Sequence, residues 1–312
     1  MAEKQNILSA GAAIASRNKR YVVWFWLLNL VLAAIGGTAF SLRAHALLDH
    51  SLYASGLVHG FDVGVFLEML GRPEFGPLRA STAPAMTVAV LFFLLTMIFL
   101  PGILQGYASD HHISRAEFFR ICGVNLLRFV RLTILFAVIG GIVAGILFGI
   151  QSGLIKAADT TSYELLPFNV QLASWIVIIL IMTAIRIWFD LAEISVVLTD
   201  QPAVRKSLSS AFRQTRKSLA RLLSSYVLIA VVGLLVFAVG IWLWHAIVPP
   251  ASVLGAFLIS QAILFSLLAV RFWQRATAVA FYARSAIEQP VEAPSLMAPL
   301  PPAPVPSESA QV

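Results

Sequence analysis

Charge is scarce in this sequence. Only 12% of its 312 residues are Asp, Glu, Lys or Arg, about half the ~25% of an ordinary soluble domain. With 59% of the chain apolar, there is too little polar surface to enclose a core in water, which excludes a soluble globular protein. Cysteine is scarcer still. The single Cys122 excludes an intramolecular disulfide and a thiolate metal cluster. Its apolar neighbours mark it as a small buried hydrophobe. Catalytic signatures are missing too. There is no Walker loop, no Gly-x-Ser-x-Gly elbow and no His-Glu-x-x-His pair, so no cofactor, metal or reaction is implied.

What the chain does have is long apolar runs. Five blocks lack any Asp, Glu, Lys or Arg: 21–42, 80–109, 132–155, 165–185 and 222–270. About 20 apolar residues suffice to cross a ~30 Å hydrocarbon layer. The last block is long enough for two crossings, and Pro249-Pro250 divides it, since consecutive prolines break a helix. The expected fold is therefore an all-α membrane protein. Its six transmembrane helices lie near 21–42, 83–105, 132–153, 169–192, 223–247 and 252–273, within a domain spanning 21–288. The first run is too long for a signal peptide's apolar core and is read as a retained anchor.

Basic residues set the orientation. With the N-terminus inside, only Arg43, Arg72, Arg79 and Lys156 fall outside, and the rest of the 22 Lys and Arg fall inside. This is a positive-inside pattern with both termini cytoplasmic. The net charge of +7 is thus a topology signal, and no nucleic-acid partner is expected. Trp24, Trp26, Trp188 and Trp273 fall near predicted inner ends, and Trp175, Trp242 and Trp244 near outer ones, where an indole is stable.

The inner connections carry their own pattern. From 200 to 221, Val204, Leu208, Ala211, Phe212 and Leu219 recur at helical spacing. Arg205, Lys206, Arg213, Arg216, Lys217 and Arg221 occupy most of the remaining face. Thr199 or Asp200 can cap this helix, and Pro202 suits its first turn. Such a basic amphipathic helix rests at the headgroup level, so these six residues are candidate contacts for anionic lipid headgroups. Asp110, Arg115 and Arg131 match Asp200, Arg205 and Arg221 at a constant offset, with Ser114 and Glu117 at capping-box spacing. A third interfacial helix is expected within 1–20. Ala184-Ile185-Arg186-Ile187-Trp188 also echoes Ala269-Val270-Arg271-Phe272-Trp273. The pattern predicts a three-hairpin repeat, each hairpin preceded by a surface helix.

Ionisable residues at membrane depth are the functional candidates. Arg186, Asp190 and Glu193 share one face at the inner end of the fourth span. Arg271 and Arg275 stand at the matching end of the sixth. The first reading of this polar cluster is structural pairing, and the second a site open to the cytoplasm. In the outer loop, 43–82, short helices are expected. There His45 and Asp49 share a face, but two ligands fall short of the three or four zinc needs. His111-His112 begins a surface helix, and His245 sits at an outer helix end. Gly141, Gly145 and Gly149 form a small-residue stripe whose expected role is close helix packing within the molecule. The tail, 289–312, is rich in Pro, Ala and Ser. It is expected to be disordered, and it is a candidate segment for a protein partner.

The stretch Ser195-Val196-Val197-Leu198, with Val204-Arg205-Lys206-Ser207-Leu208 and Ala211-Phe212-Arg213-Gln214-Thr215-Arg216-Lys217, carries a resemblance. Over 105–285 the chain resembles uncharacterised bacterial membrane proteins, similar to the membrane domain attached to some glycerophosphodiester phosphodiesterases. The resemblance implies a bacterial inner membrane and the hairpin architecture. The chain is expected to lack the phosphodiesterase barrel, so no catalytic residue carries over. The function expected from the residues is non-enzymatic: organising lipids or partner proteins at the inner leaflet. A small transporter or channel, and an enzyme acting on lipid headgroups, stay open as alternatives.

Overall fold

The computed structural model describes residues 6–48, 64, 67–68, 78–109, 111–161, 163, 165–199, 204–249 and 252–288. Among them there is no strand. The helices are α1 (Ile7–Arg17), α2 (Arg20–Leu48), α3 (Leu78–Ala108), α4 (Arg115–Asp159), α5 (Leu166–Leu198), α6 (Val204–Ile247) and α7 (Val253–Glu288). The last six are long and apolar enough to cross a membrane. Five of the six expected spans each lie inside one of them, and the sixth, 252–273, starts one residue before α7. The tail, Asp110, Asp200, Pro202 and most of the expected outer loop lie outside the described residues.

Local chemistry sets the helix ends. Asn6 caps α1, its side chain accepting from the Leu8 amide at 3.4 Å. Ser114 caps α4 by accepting from the Glu117 amide at 3.2 Å, half of the expected capping box. The carboxylate of Glu117 also favours that end of the helix dipole. Pro167 sits in the first turn of α5, where its missing N–H costs nothing. Between α6 and α7, the Pro249 carbonyl accepts from the Ser252 amide at 2.9 Å, closing a turn at the expected break.

Surface helix and span turn out to be joined. In α4 the basic segment runs without interruption into the apolar one, over 45 residues. In α6 the join bends at Ser218, whose backbone is non-helical (φ −124°, ψ 18°). Between α1 and α2 the corresponding break falls at Asn18 (φ −108°, ψ 29°).

The packing is cyclic. The second helices of the three hairpins, α3, α5 and α7, touch one another in the middle. Outside them, α2 lies against α3 and α7, α4 against α3 and α5, and α6 against α5 and α7. The basic segments dock in the same order. The Trp188 indole of α5 donates to the Leu208 carbonyl of α6 at 2.9 Å. The Trp273 indole of α7 donates to the Leu8 carbonyl of α1 at 3.0 Å. Small residues let these crossings close. A Cβ on Gly11 would meet Thr277, and one on Gly102 of α3 would meet Phe118 and Cys122 of α4.

The core is lopsided. Its large fully buried side chains include Tyr21, Tyr107, Tyr226, Phe129, Leu132, Leu191 and Leu222, all near the end of the bundle where the basic segments lie. Toward the other end the helices expose apolar side chains such as Ile142, Ile146, Ile176, Leu234 and Leu254. The glycine stripe corrects an expectation. Gly141, Gly145 and Gly149 have no neighbour within 4 Å of a Cβ position among the described residues, so none of those residues packs closely on them. Only the adjacent Gly140 faces another helix, at Met182.

Candidate functional site

Helical periodicity assembles the polar cluster. Asp190 and Glu193 follow Arg186 at one and two turns, so α5 offers all three on one face. Arg271 and Arg275 are one turn apart on α7, which packs against α5. Two ion pairs result. Arg186 Nε lies 3.8 Å from Asp190 Oδ2 within α5. Arg275 Nη1 donates to Glu193 Oε2 at 3.0 Å across the helix interface.

The stronger partner of Asp190 comes from α6. Tyr226 Oη donates to Asp190 Oδ2 at 2.8 Å, and both residues are buried. Sequence reasoning missed Tyr226. Its signal was a lone phenol inside an apolar run, which needs a partner once buried. It also missed the bond from Trp26 Nε1 to Gln261 Oε1, at 3.2 Å, which ties α2 to α7. Each carboxylate of the cluster is therefore engaged, and the bonds tie α5 to both α6 and α7. This arrangement suits a clamp.

Arg271 stands apart. Among the described residues it makes no hydrogen bond or ion pair. It lines a chamber of about 120 Å³ with Arg275 and the rings of Phe25, Phe92, Phe93 and Phe272. Neither Arg186 nor Asp190 lines that chamber.

The basic face of α6 presents a second arrangement. Val204, Ser207, Ala211, Thr215 and Leu222 are buried, at spacings of three, four and seven. That leaves Arg205, Lys206, Arg213, Arg216, Lys217 and Arg221 exposed on the opposite face. Three of these six converge. Arg205, Lys206 and Arg213 line a groove of about 540 Å³ with Ser195, Thr199, Ser209, Ser210 and Tyr282, and no carboxylate lines it among the described residues. Arg216 and Lys217 line no groove with them. Arg221 lies in a separate groove beside the Ser218 break. Three cations among hydroxyls make a concave surface suited to an anion. The chain matches no protein-family model, no curated protein and no solved structure.

Proposed function

We propose that this chain is a six-span plasma-membrane protein that gathers anionic phospholipids at the inner leaflet through basic interfacial helices. The observation that carries this reading is the groove formed by Arg205, Lys206 and Arg213, which no acid lines among the described residues. It lies beside a core whose own carboxylates already have partners. The apolar residues exposed at the other end of the bundle support lipid as the solvent, since water does not tolerate so continuous an apolar surface.

Depth supports the same reading. At about 1.5 Å per residue, Leu166 to Arg186 rises ~30 Å and Val253 to Arg271 rises ~27 Å. Both distances match the thickness of the hydrocarbon layer. The polar cluster then sits at its inner edge, where arginines reach the headgroups at little cost. The same frame makes the chain three units, each a basic helix followed by two spans, closed into a ring. The paired bonds of Trp188 and Trp273 support that repeat.

The test is unfolding of the purified full chain in vesicles. Phosphatidylcholine alone is compared with phosphatidylcholine containing phosphatidylglycerol. A ligand that binds only the folded state raises the unfolding temperature. Anionic lipid is expected to raise it, and the gain is expected to shrink in the Arg205→Gln/Lys206→Gln/Arg213→Gln variant. Equal unfolding temperatures in both lipids would overturn the reading.

A further inference from the structure

Charge does not balance where α5 meets α7. The cluster holds three guanidinium groups, on Arg186, Arg271 and Arg275, and two carboxylates, on Asp190 and Glu193. Each carboxylate is matched to one guanidinium. Arg186 Nε stands 3.8 Å from Asp190, and Arg275 donates to Glu193 at 3.0 Å. Asp190 also accepts from Tyr226 at 2.8 Å. Arg271 is left over. The charged groups that act on it among the described residues are Arg186, Arg275 and Asp190: two cations, and a carboxylate that is already engaged. One positive charge in excess at the edge of a hydrocarbon layer calls for one anion, since an unmatched ion is costly there.

The chamber beside Arg271 shows what the rest of that ligand is. It lies between α2, α3 and α7, with Arg271 and Arg275 at one end of its α7 wall and Leu268 at the other. Its α3 wall runs from Phe92 to Ile103, ~16 Å along the helix. Both helices are the second of their hairpins and run in the same direction, so Ile103 lies toward Arg275 and Phe92 toward Leu268. Phe25 of α2 closes the space between, edge-on to Phe92 and Phe272. Thr96 on the α3 wall donates its hydroxyl proton to the Phe92 carbonyl at 2.7 Å. One end of the chamber is thus cationic, and the other is walled by Phe92, Phe93 and Leu268. About 120 Å³ drawn out over that length makes a narrow space. An apolar cavity of ~150 Å³ takes a single benzene, so one hydrocarbon chain enters here and a glycerol carrying two does not. Phe93 and Arg271 are exposed, which gives the chamber a side opening toward lipid.

We propose that this chamber binds one single-chain anionic amphiphile, a long-chain fatty-acid carboxylate, with its head on the Arg271 guanidinium and its chain along the rings of Phe25, Phe92 and Phe272. A carboxylate matches the planar fork of a guanidinium with two parallel hydrogen bonds, and it carries the single negative charge that the cluster lacks. The site differs from the groove of Arg205, Lys206 and Arg213 in place and in ligand, so it goes beyond the phospholipid reading above.

Native mass spectrometry of the full chain, released from detergent micelles after titration with hexadecanoate or hexadecan-1-ol, tests it. The alcohol has the same chain and no charge. The wild type is expected to bind the acid at least about tenfold more tightly, the scale of a charge-assisted hydrogen bond. Arg271→Gln removes the cation. Thr96→Phe fills the chamber and removes no charge. Each is expected to weaken hexadecanoate binding at least about tenfold. Arg271→Lys keeps a cation at the same depth and is expected to recover part of the loss, which a misfolded chain would not do. Lys156→Gln, at the other end of the bundle, is expected to match the wild type. Equal affinity for acid and alcohol overturns the proposal, as does wild-type affinity in either Arg271→Gln or Thr96→Phe. Displacement of hexadecanoate by an equal concentration of phosphatidylglycerol, or of its single-chain lyso form, assigns Arg271 to a phosphodiester and overturns the carboxylate.

Discussion

Trp273 and Leu8 are 265 residues apart in sequence, yet the indole Nε1 of one donates to the carbonyl of the other at 3.0 Å. The bond closes a ring. Trp188 holds Leu208, only 20 residues away, in the same manner. In that case a short chain connection already brings the two segments together. For Trp273 no such connection exists, so side-chain contacts dock the first helix against α7. Thr277 seated against Gly11 is one of them.

Trp273→Phe keeps the ring and removes the donor. The Leu8 carbonyl is half-satisfied within α1, so the loss is expected near the ~1 kcal/mol of an ordinary hydrogen bond. The effect should be local. Limited proteolysis should cut within 7–17 sooner than in the wild type, while the unfolding temperature of the remaining chain changes little. Gly11→Leu, which forces a side chain into Thr277, should expose the same segment more completely. Unchanged cleavage in both variants would show that α1 is held by something else.

Glu193 and Arg275 give a sharper test of the clamp. Glu193→Leu leaves the Arg275 guanidinium without its carboxylate in a mostly buried setting, and breaking such a pair costs ~3–5 kcal/mol. Glu193→Leu/Arg275→Met replaces both charges with apolar groups, which is often neutral or stabilising. Thermal unfolding in a fixed detergent should show a large drop for the single variant and recovery in the double. A double variant as unstable as the single would mean the charges serve something other than each other.

Tyr226→Phe isolates the buried bond to Asp190. It removes one hydroxyl and leaves the Asp190 carboxylate with the more distant Arg186, at 3.8 Å. The expected cost is ~1–3 kcal/mol, the price of an under-satisfied buried acceptor. Asp190→Leu/Tyr226→Phe should recover much of it. The measurement is the same unfolding series, and additive losses in the double variant would contradict the pairing.

The apolar blocks made the helices legible, because a charge-free run of membrane length has few alternatives to helix. Pro249-Pro250 and Ser114 fixed the local ends for the same reason, since their chemistry acts within a turn. Joins between elements were less legible. Nothing between Arg115 and Arg131 forbids the helix from continuing, so the expected separate surface helix is the first part of α4. The candidate cluster was legible as a face of α5 and a face of α7. The pairing of Arg186 with Asp190, one turn apart, was legible too, but which charge meets which across the helices was not. Arg275, rather than Arg271, reaches Glu193, and Tyr226 arrives from the apolar run of another helix. Those choices depend on how α5, α6 and α7 turn about their axes, which packing decides. The exposed Gly141, Gly145 and Gly149 make the same point: a small-residue stripe permits close approach but does not choose the helix that approaches.

Gly102 is where close approach is required. It lies under Phe118 and Cys122 where α4 crosses α3. Gly102→Leu adds volume to a crossing with no free space, and overpacking of this kind costs ~1–3 kcal/mol. Cys122→Ala in the same background should relieve part of that cost, while Phe118→Ala should relieve more at the expense of a cavity. Unfolding temperatures of the four proteins would show this. A Gly102→Leu protein as stable as the wild type would mean that α4 can move aside.

Orientation has the widest consequences, and a cysteine scan can decide it because the only native thiol is buried at Cys122. In a Cys122→Ala background, Thr160→Cys and Lys217→Cys place single thiols at exposed positions toward opposite ends of the bundle. The bias of basic residues toward one end predicts that Lys217 lies on the cytoplasmic side. A membrane-impermeant maleimide applied to intact cells should label Thr160→Cys and spare Lys217→Cys until the membrane is opened. The inner leaflet supplies the anionic headgroups that Arg205 and Arg213 are proposed to meet. Labelling of Lys217→Cys in intact cells would place those arginines on the other side of the membrane and remove the basis for inner-leaflet lipid binding.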